Sequence, residues 1–133
     1  LSLLLDTHVL LWWQAGGQRL SSAASAAIDG ASVLYLSPLT FSEVATLRRL
    51  GRIDLDRELG VWIHDLLGHP RITMAALTPE AAVWAGDLPM HFPGDPIDRL
   101  LYATARDLRV TIVSKDERLR AYAARSGDVQ FAW

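Results

Sequence analysis

Leu3-Leu4-Leu5-Asp6-Thr7-His8, at the start of the chain, decides the fold class. A short uninterrupted apolar run marks a strand covered on both faces, as in a parallel sheet. It ends abruptly in a carboxylate, which is costly at the end of a buried strand unless something compensates it. In a parallel α/β sheet that point is the carboxyl edge, where ligand sites gather. Asp6 is therefore the first candidate site residue, and the rest of the chain is to be searched for acids the fold would bring beside it.

Working outward, the strand Leu1–Leu5 leads into a short helix from Thr7 to Ala15, stopped by Gly16-Gly17. A serine, Ser21 or Ser22, caps a second helix over Ala23–Asp29, and Val33–Leu36 is a second buried strand. Ser37-Pro38 opens a helix to about Leu50, with Gly51 as its stop. Asp54-Leu55-Asp56 leads into a helix to about Leu67, and Arg71–Ala76 is a weaker strand. Thr78-Pro79-Glu80 opens a helix ending near Gly86, followed by a Pro- and Gly-rich loop from Leu88 to Gly94. Asp95-Pro96 starts a strong amphipathic helix to Leu108; then come a strand Val110–Val113, a helix Asp116–Ser126 and a strand Val129–Phe131. Strands and helices alternate throughout. The economical architecture is α/β: a mainly parallel sheet with helices on both faces.

The chain has 133 residues, half of them hydrophobic, with no repeat, linker or low-complexity tract, which predicts one domain over residues 1–133. A net charge of −2 gives no global field for nucleic acid, although twelve arginines against the single Lys115 leave room for local anion-binding patches. Cysteine is absent, which excludes disulfides and thiolate metal sites and leaves oxygen or imidazole as metal ligands. No apolar run approaches the ~18 residues of a membrane span, and the opening segment has no basic n-region and carries Asp6. The expectation is a soluble cytoplasmic protein that engages no membrane. Leu1 as first residue implies an initiator or leader outside the numbering.

Three further acids sit just after strands or in the first turns of helices: Glu43, Asp98 and Asp116. In an alternating sheet all these junctions face one edge, so the four carboxylates are expected to converge across sequence gaps as long as the 55 positions between Glu43 and Asp98. Each also has a local explanation. Thr40-Phe41-Ser42-Glu43 and Ser114-Lys115-Asp116-Glu117 fit capping boxes, and Asp95-Pro96-Ile97-Asp98 is an N-cap followed by a proline and an acid against the helix dipole. A cap is worth about 1 kcal/mol, whereas two carboxylates about 4 Å apart repel by roughly 4 kcal/mol at an effective dielectric near 20. Capping alone therefore does not justify a converged cluster, and a divalent cation does. All-oxygen ligation favours Mg²⁺ or Mn²⁺ over zinc, and the matching chemistry is phosphodiester hydrolysis.

The stretches Leu5-Asp6-Thr7-His8, Ser37-Pro38-Leu39-Thr40-Phe41-Ser42-Glu43, Asp95 to Ala105 and Ser114-Lys115-Asp116 together resemble a PIN domain. In particular they resemble the toxin ribonucleases of bacterial VapBC toxin–antitoxin pairs, in order and spacing, over essentially the whole chain. The resemblance implies a parallel sheet carrying Asp6, Glu43, Asp98 and Asp116 around one or two Mg²⁺ or Mn²⁺ ions, with Asp116 the accessory acid. It implies RNA cleavage, a homodimer, and inhibition by a small antitoxin whose C-terminal segment wraps the toxin. The family often has threonine where Ser114 stands, and either hydroxyl can serve.

Among supporting residues, Thr7 is a candidate to orient Asp6 or a metal-bound water, with simple helix initiation as the alternative, and Asp95 is an N-cap or an outer ligand. Arg99 is a candidate to contact RNA phosphate or to clamp a site carboxylate, with a plain surface arginine as the alternative. His8, on a helix, is expected to be packed, and His64, His69 and His91 show no ligand spacing. The five tryptophans read mainly as core or partner-facing residues, with base stacking as the alternative. Arg48, Arg49 and Arg52 bunch at the end of the Glu43 helix, where the dipole already favours cations. Two rival functions remain: a non-catalytic PIN-like module that binds RNA or protein, and a receiver- or phosphatase-type domain using Asp6 as nucleophile. The second is disfavoured because such phosphatases place another aspartate two residues on, where His8 stands.

Overall fold

The computed structural model describes residues 1–133. In chain order the elements are β1 (Ser2–Leu5), α1 (Thr7–Gln14), α2 (Ser22–Gly30), β2 (Val33–Leu36), α3 (Pro38–Arg49), α4 (Leu59–Leu67), β3 (Ile72–Met74), α5 (Pro79–Asp87), α6 (Pro96–Leu108), β4 (Thr111–Val113), α7 (Glu117–Ser126) and β5 (Phe131–Ala132). Every strand pairing is parallel, and the strand order is β3-β2-β1-β4-β5. The α/β parallel sheet expected from the alternating pattern is the observed fold.

Alternation along the strands sorts the core into two layers. Leu3 and Leu5 of β1, Leu34 and Leu36 of β2 and Val113 of β4 face one way, packing on Val9 and Leu10 of α1, Ile28 of α2, Val44 of α3 and Trp62 and Leu66 of α4. Leu4 and Ile112 face the other way, against Leu101, Tyr102 and Ala105 of α6 and Leu119, Tyr122 and Ala123 of α7. All three β1 leucines are at most 1% exposed, which explains the unbroken apolar run. Helix α5 lies outside α6 through Ala81, Ala85 and Ala103.

The chain winds from β1 through β2 to β3 on one side, then crosses to β4 on the other side of β1 and on to β5. The reversal lies between β1 and β4, and parallel sheets open a crevice at the carboxyl ends of such a pair. Asp6 follows β1, and Ser114 to Asp116 follow β4. The fold therefore puts both segments at the mouth of one crevice.

Several boundaries differ from the sequence expectation. The helix expected after Asp54-Leu55-Asp56 ends at Leu67 but starts only at Leu59, because Arg57 bridges Asp56 and Asp65 and the Glu58 side chain accepts the amides of Gly60 and Val61. Strand β3 is trimmed to Ile72–Met74 at the sheet edge, with Thr73 and Met74 exposed. Strand β5 lies later than Val129–Phe131, because its partners in β4 are Ile112 and Val113. Gly51, at φ +70°, ends the turn after α3 as its sequence position suggests.

Candidate active site

The end of β1 builds the first part of the site. Asp6 is the N-cap of α1, its Oδ1 accepting the Val9 amide at 2.9 Å, and its own amide is tied to the Val113 carbonyl of β4 at 3.2 Å. Thr7, 4% exposed, donates from Oγ1 to Oε1 of Glu43 at 2.6 Å, joining α1 to α3 across 36 positions of sequence. Glu43 lies in the second turn of α3 rather than at its cap. That cap is Ser37, which accepts the Leu39 amide, so the Thr40–Glu43 capping box is not formed. This leaves the Glu43 carboxylate for the crevice.

On the other side Asp95 and Asp98 form a reciprocal capping box, the Asp98 amide donating to Asp95 Oδ1 at 2.8 Å and the Asp95 amide to Asp98 Oδ2 at 3.0 Å. The backbone is crowded here: a Cβ on Gly94 would lie 2.4 Å from Asp98 Cβ and 2.8 Å from Phe92 Cε1, so this position requires glycine. After β4, Ser114 is 1% exposed and accepts the Asp116 amide. Asp116, not Ser114, is the N-cap of α7, its Oδ1 accepting the amides of Arg118 and Leu119. The box expected at Ser114–Glu117 is thus replaced by two successive short turns.

Asp6, Glu43, Asp95, Asp98 and Asp116 all line one cavity of about 370 Å³, together with Thr7, Ser114, His8, Trp12 and Lys115. The charges feel one another. Burial pushes the Asp6 carboxyl above its ordinary value, against the lowering pull of the Ser114 hydroxyl, the Val9 amide and His8, and the Asp116 carboxylate adds to the rise. Burial also pushes Asp98 up, to about 6, with the Asp95 and Glu43 carboxylates contributing. Negative charge is therefore under-compensated on both walls of the crevice.

The donor set is all oxygen, which fits a hard divalent cation. No three of the acids and histidines gather closely enough to form a ready-made cage.

The family follows from comparison. The PIN-domain family model matches residues 3–125. The chain is a PIN-domain protein. Within the family it is of VapC type: over 121 residues it is 44% identical to Ribonuclease VapC22 of Mycobacterium tuberculosis (strain ATCC 25618 / H37Rv), covering 91% of this chain and 92% of the relative. Its fold is shared with VapBC-1 from nontypeable Haemophilus influenzae (TM-score 0.69, 14% identity, 98% of this chain and 96% of the matched chain). It is also shared with VapBC2 from Rickettsia felis bound to a DNA fragment from their promoter (TM-score 0.67, 10% identity, 98% and 97%).

In this PIN domain the supporting residues divide. Thr7, Asp95 and Ser114 line the cavity, whereas Arg99 does not. Arg99 donates to the carbonyls of Ala85, Leu88 and Pro89 and sits 5.4 Å from the Phe92 ring, pinning the end of α5 and the following loop beneath Gly94. His8, expected to be packed, is exposed at the cavity rim because Thr7 and Val9 on either side take the buried positions. Lys115 and Trp12 also line the PIN-domain cavity, and sequence reasoning passed over both as site residues. For Lys115 the signal was available, since it stands between Ser114 and Asp116 at a strand end. For Trp12 it was not, because helical spacing alone does not separate a core tryptophan from one at a rim.

Proposed function

We propose that this VapC-type PIN domain is a Mg²⁺- or Mn²⁺-dependent endoribonuclease, the toxin of a type II toxin–antitoxin pair acting in the cytoplasm on RNA. The observation that carries the reading is the meeting of Asp6, Glu43, Asp98 and Asp116, from four separate elements, in one cavity at the β1/β4 reversal. Support for RNA as substrate comes from the ribonuclease relative, support for an antitoxin partner comes from the VapBC neighbours, and the homodimer rests on the family resemblance alone. No helix is long and apolar enough to cross a membrane.

Asp6, Glu43 and Asp98, with Asp116 as the accessory ligand, would hold the cation, which when bound would supply Lewis acidity at the phosphodiester. The protein supplies placement. Thr7 fixes the Glu43 carboxylate, the Val9 amide orients Asp6, and the Asp95 amide orients Asp98. Each of these bonds occupies one carboxylate oxygen and leaves the other for the crevice. Lys115 at the rim brings positive charge to an otherwise anionic mouth and helps a phosphate approach. A non-catalytic binding module would have no use for so many carboxylates drawn from separate elements into one cavity.

The test is cleavage of a mixed cellular RNA pool by the purified protein with Mn²⁺ or with EDTA, beside Asp6→Asn. Cleavage that requires the metal and disappears in the variant is expected. A folded wild-type protein with no cleavage in Mn²⁺ would favour the binding-module reading.

A further inference from the structure

The acid cavity continues past its rim. His8 and Trp12 lie one turn apart on α1 and form a wall shared between that cavity and a second groove of about 470 Å³. Trp12 is half-buried, with the His8 and Trp133 rings each 5.8 Å away and the Lys115 ammonium 5.9 Å from its ring centre. Trp12 thus presents an aromatic surface at the boundary between an anionic site and a groove of different charge.

Along that groove stand three arginines, and they are not equivalent. Arg57 is engaged by Asp56 and Asp65, both at 2.8 Å. Arg19 and Arg52 are exposed and make no ion pair, so two guanidinium groups are free opposite one unpaired acid, Asp54. An aromatic platform next to free guanidinium groups is the pattern by which proteins hold single-stranded nucleic acid, bases on the ring and phosphates on the cations. A duplex, whose bases are already stacked, has no use for the platform.

We propose that this groove is a nucleotide subsite that takes the single-stranded RNA segment flanking the scissile phosphodiester, with Trp12 stacking a base and Arg19 and Arg52 contacting phosphates. The proposal rests on the ribonuclease reading and adds to it the strand form of the substrate and the side of the cavity on which it lies.

The experiment is fluorescence anisotropy of a labelled single-stranded RNA dodecamer and of its duplex, titrated with the protein in EDTA over a range of NaCl. Wild type, Trp12→Ala, Trp12→Phe and the double variant Arg19→Gln/Arg52→Gln are compared, each checked for folding by thermal melting. Trp12→Ala is expected to weaken single-strand binding about tenfold, with Trp12→Phe retaining most of it and the duplex insensitive to either change. The double variant is expected to lower the slope of log K against log salt by about 1.4, the value for two single-strand phosphate contacts. Unchanged affinity in Trp12→Ala with an unchanged slope in the double variant would overturn the subsite alone and leave the groove to a protein partner. Failure of the wild type to bind single-stranded RNA would overturn the subsite too, while metal-dependent cleavage against Asp6→Asn judges the ribonuclease reading separately.

Discussion

Replacing Asp98 by asparagine separates the stability of this PIN domain from its chemistry. Burial and the neighbouring Asp95 and Glu43 carboxylates raise the Asp98 pKa from 3.8 to about 6. Between those values the folded chain keeps a proton that the unfolded chain releases. Stability therefore falls as pH rises through that window, and the ionised carboxylate weighs against the fold at pH 7. A displacement of this size corresponds to about 3 kcal/mol between protonation states. Asp98 is half-exposed, so solvent screening reduces this to about 1–2 kcal/mol. Asparagine removes the charge while its side-chain oxygen still accepts the Asp95 amide, and the lost interaction with the helix dipole returns about 0.5 kcal/mol. Asp98→Asn is thus expected to be the more stable protein in EDTA at pH 7, by about 1 kcal/mol or 3–5 °C in Tm for a domain of this size. With Mn²⁺ at a hundred times its Kd, the wild type gains about 2.7 kcal/mol and the order reverses, provided the variant no longer binds the ion. Calorimetric melting of both proteins in EDTA and in Mn²⁺, at pH 5 and pH 7, reads all of this. At pH 5 in EDTA the gap should shrink to roughly half, and it closes only as the pH falls below the unfolded value of 3.8, where both states hold the proton. An Asp98→Asn protein less stable than wild type in EDTA at pH 7 would refute the claim that the site carries uncompensated charge. Absence of any reversal in Mn²⁺ would refute the assignment of Asp98 as a metal ligand.

Thr7→Val keeps the packing but removes the donor to Glu43; it is expected to cost about 1–2 kcal/mol and to lower cleavage, with Thr7→Ser restoring both, as measured by melting and RNA cleavage in parallel. Gly94→Ala forces a Cβ against Asp98 and Phe92. It should destabilise by about 1–3 kcal/mol and weaken Mn²⁺ binding by titration calorimetry, whereas a neutral effect on both would show that the Asp98 helix start is free to move. Arg99→Lys loses the planar fork that reaches three carbonyls, and a fall of about 1–2 kcal/mol in stability is expected, seen by chemical denaturation. A change confined to RNA affinity would instead make Arg99 a phosphate contact.

The acids could be found from sequence because each lies where a short apolar run or a proline-led helix start gives way to polar residues. Asp6 after Leu5 and Asp98 after Pro96 are signals contained within a few positions. Arg99 and His8 were misjudged for the opposite reason. A side chain next to a site residue in sequence points elsewhere on a helix, and Arg99 turns away from Asp98 toward the carbonyls ending α5. The late start of α4 reflects competition: Arg57 and Glu58 form local bonds that hold the backbone irregular until Leu59.

By itself the sequence determined the alternation of strands and helices, the burial of the β1 leucines on both faces, and the placing of an acid at each of four element junctions, since all of these depend on residue spacing and local capping. Only the tertiary structure decided that β4 lies beside β1, which brings Asp6 near Asp116. It likewise set Glu43 against Thr7 and Asp98, and put Trp12 on a wall between two cavities. The physical reason is range. Periodicity and caps act over one or two turns, whereas strand order and the facing of distant carboxylates come from packing two helix layers onto one sheet, between residues that no local window contains.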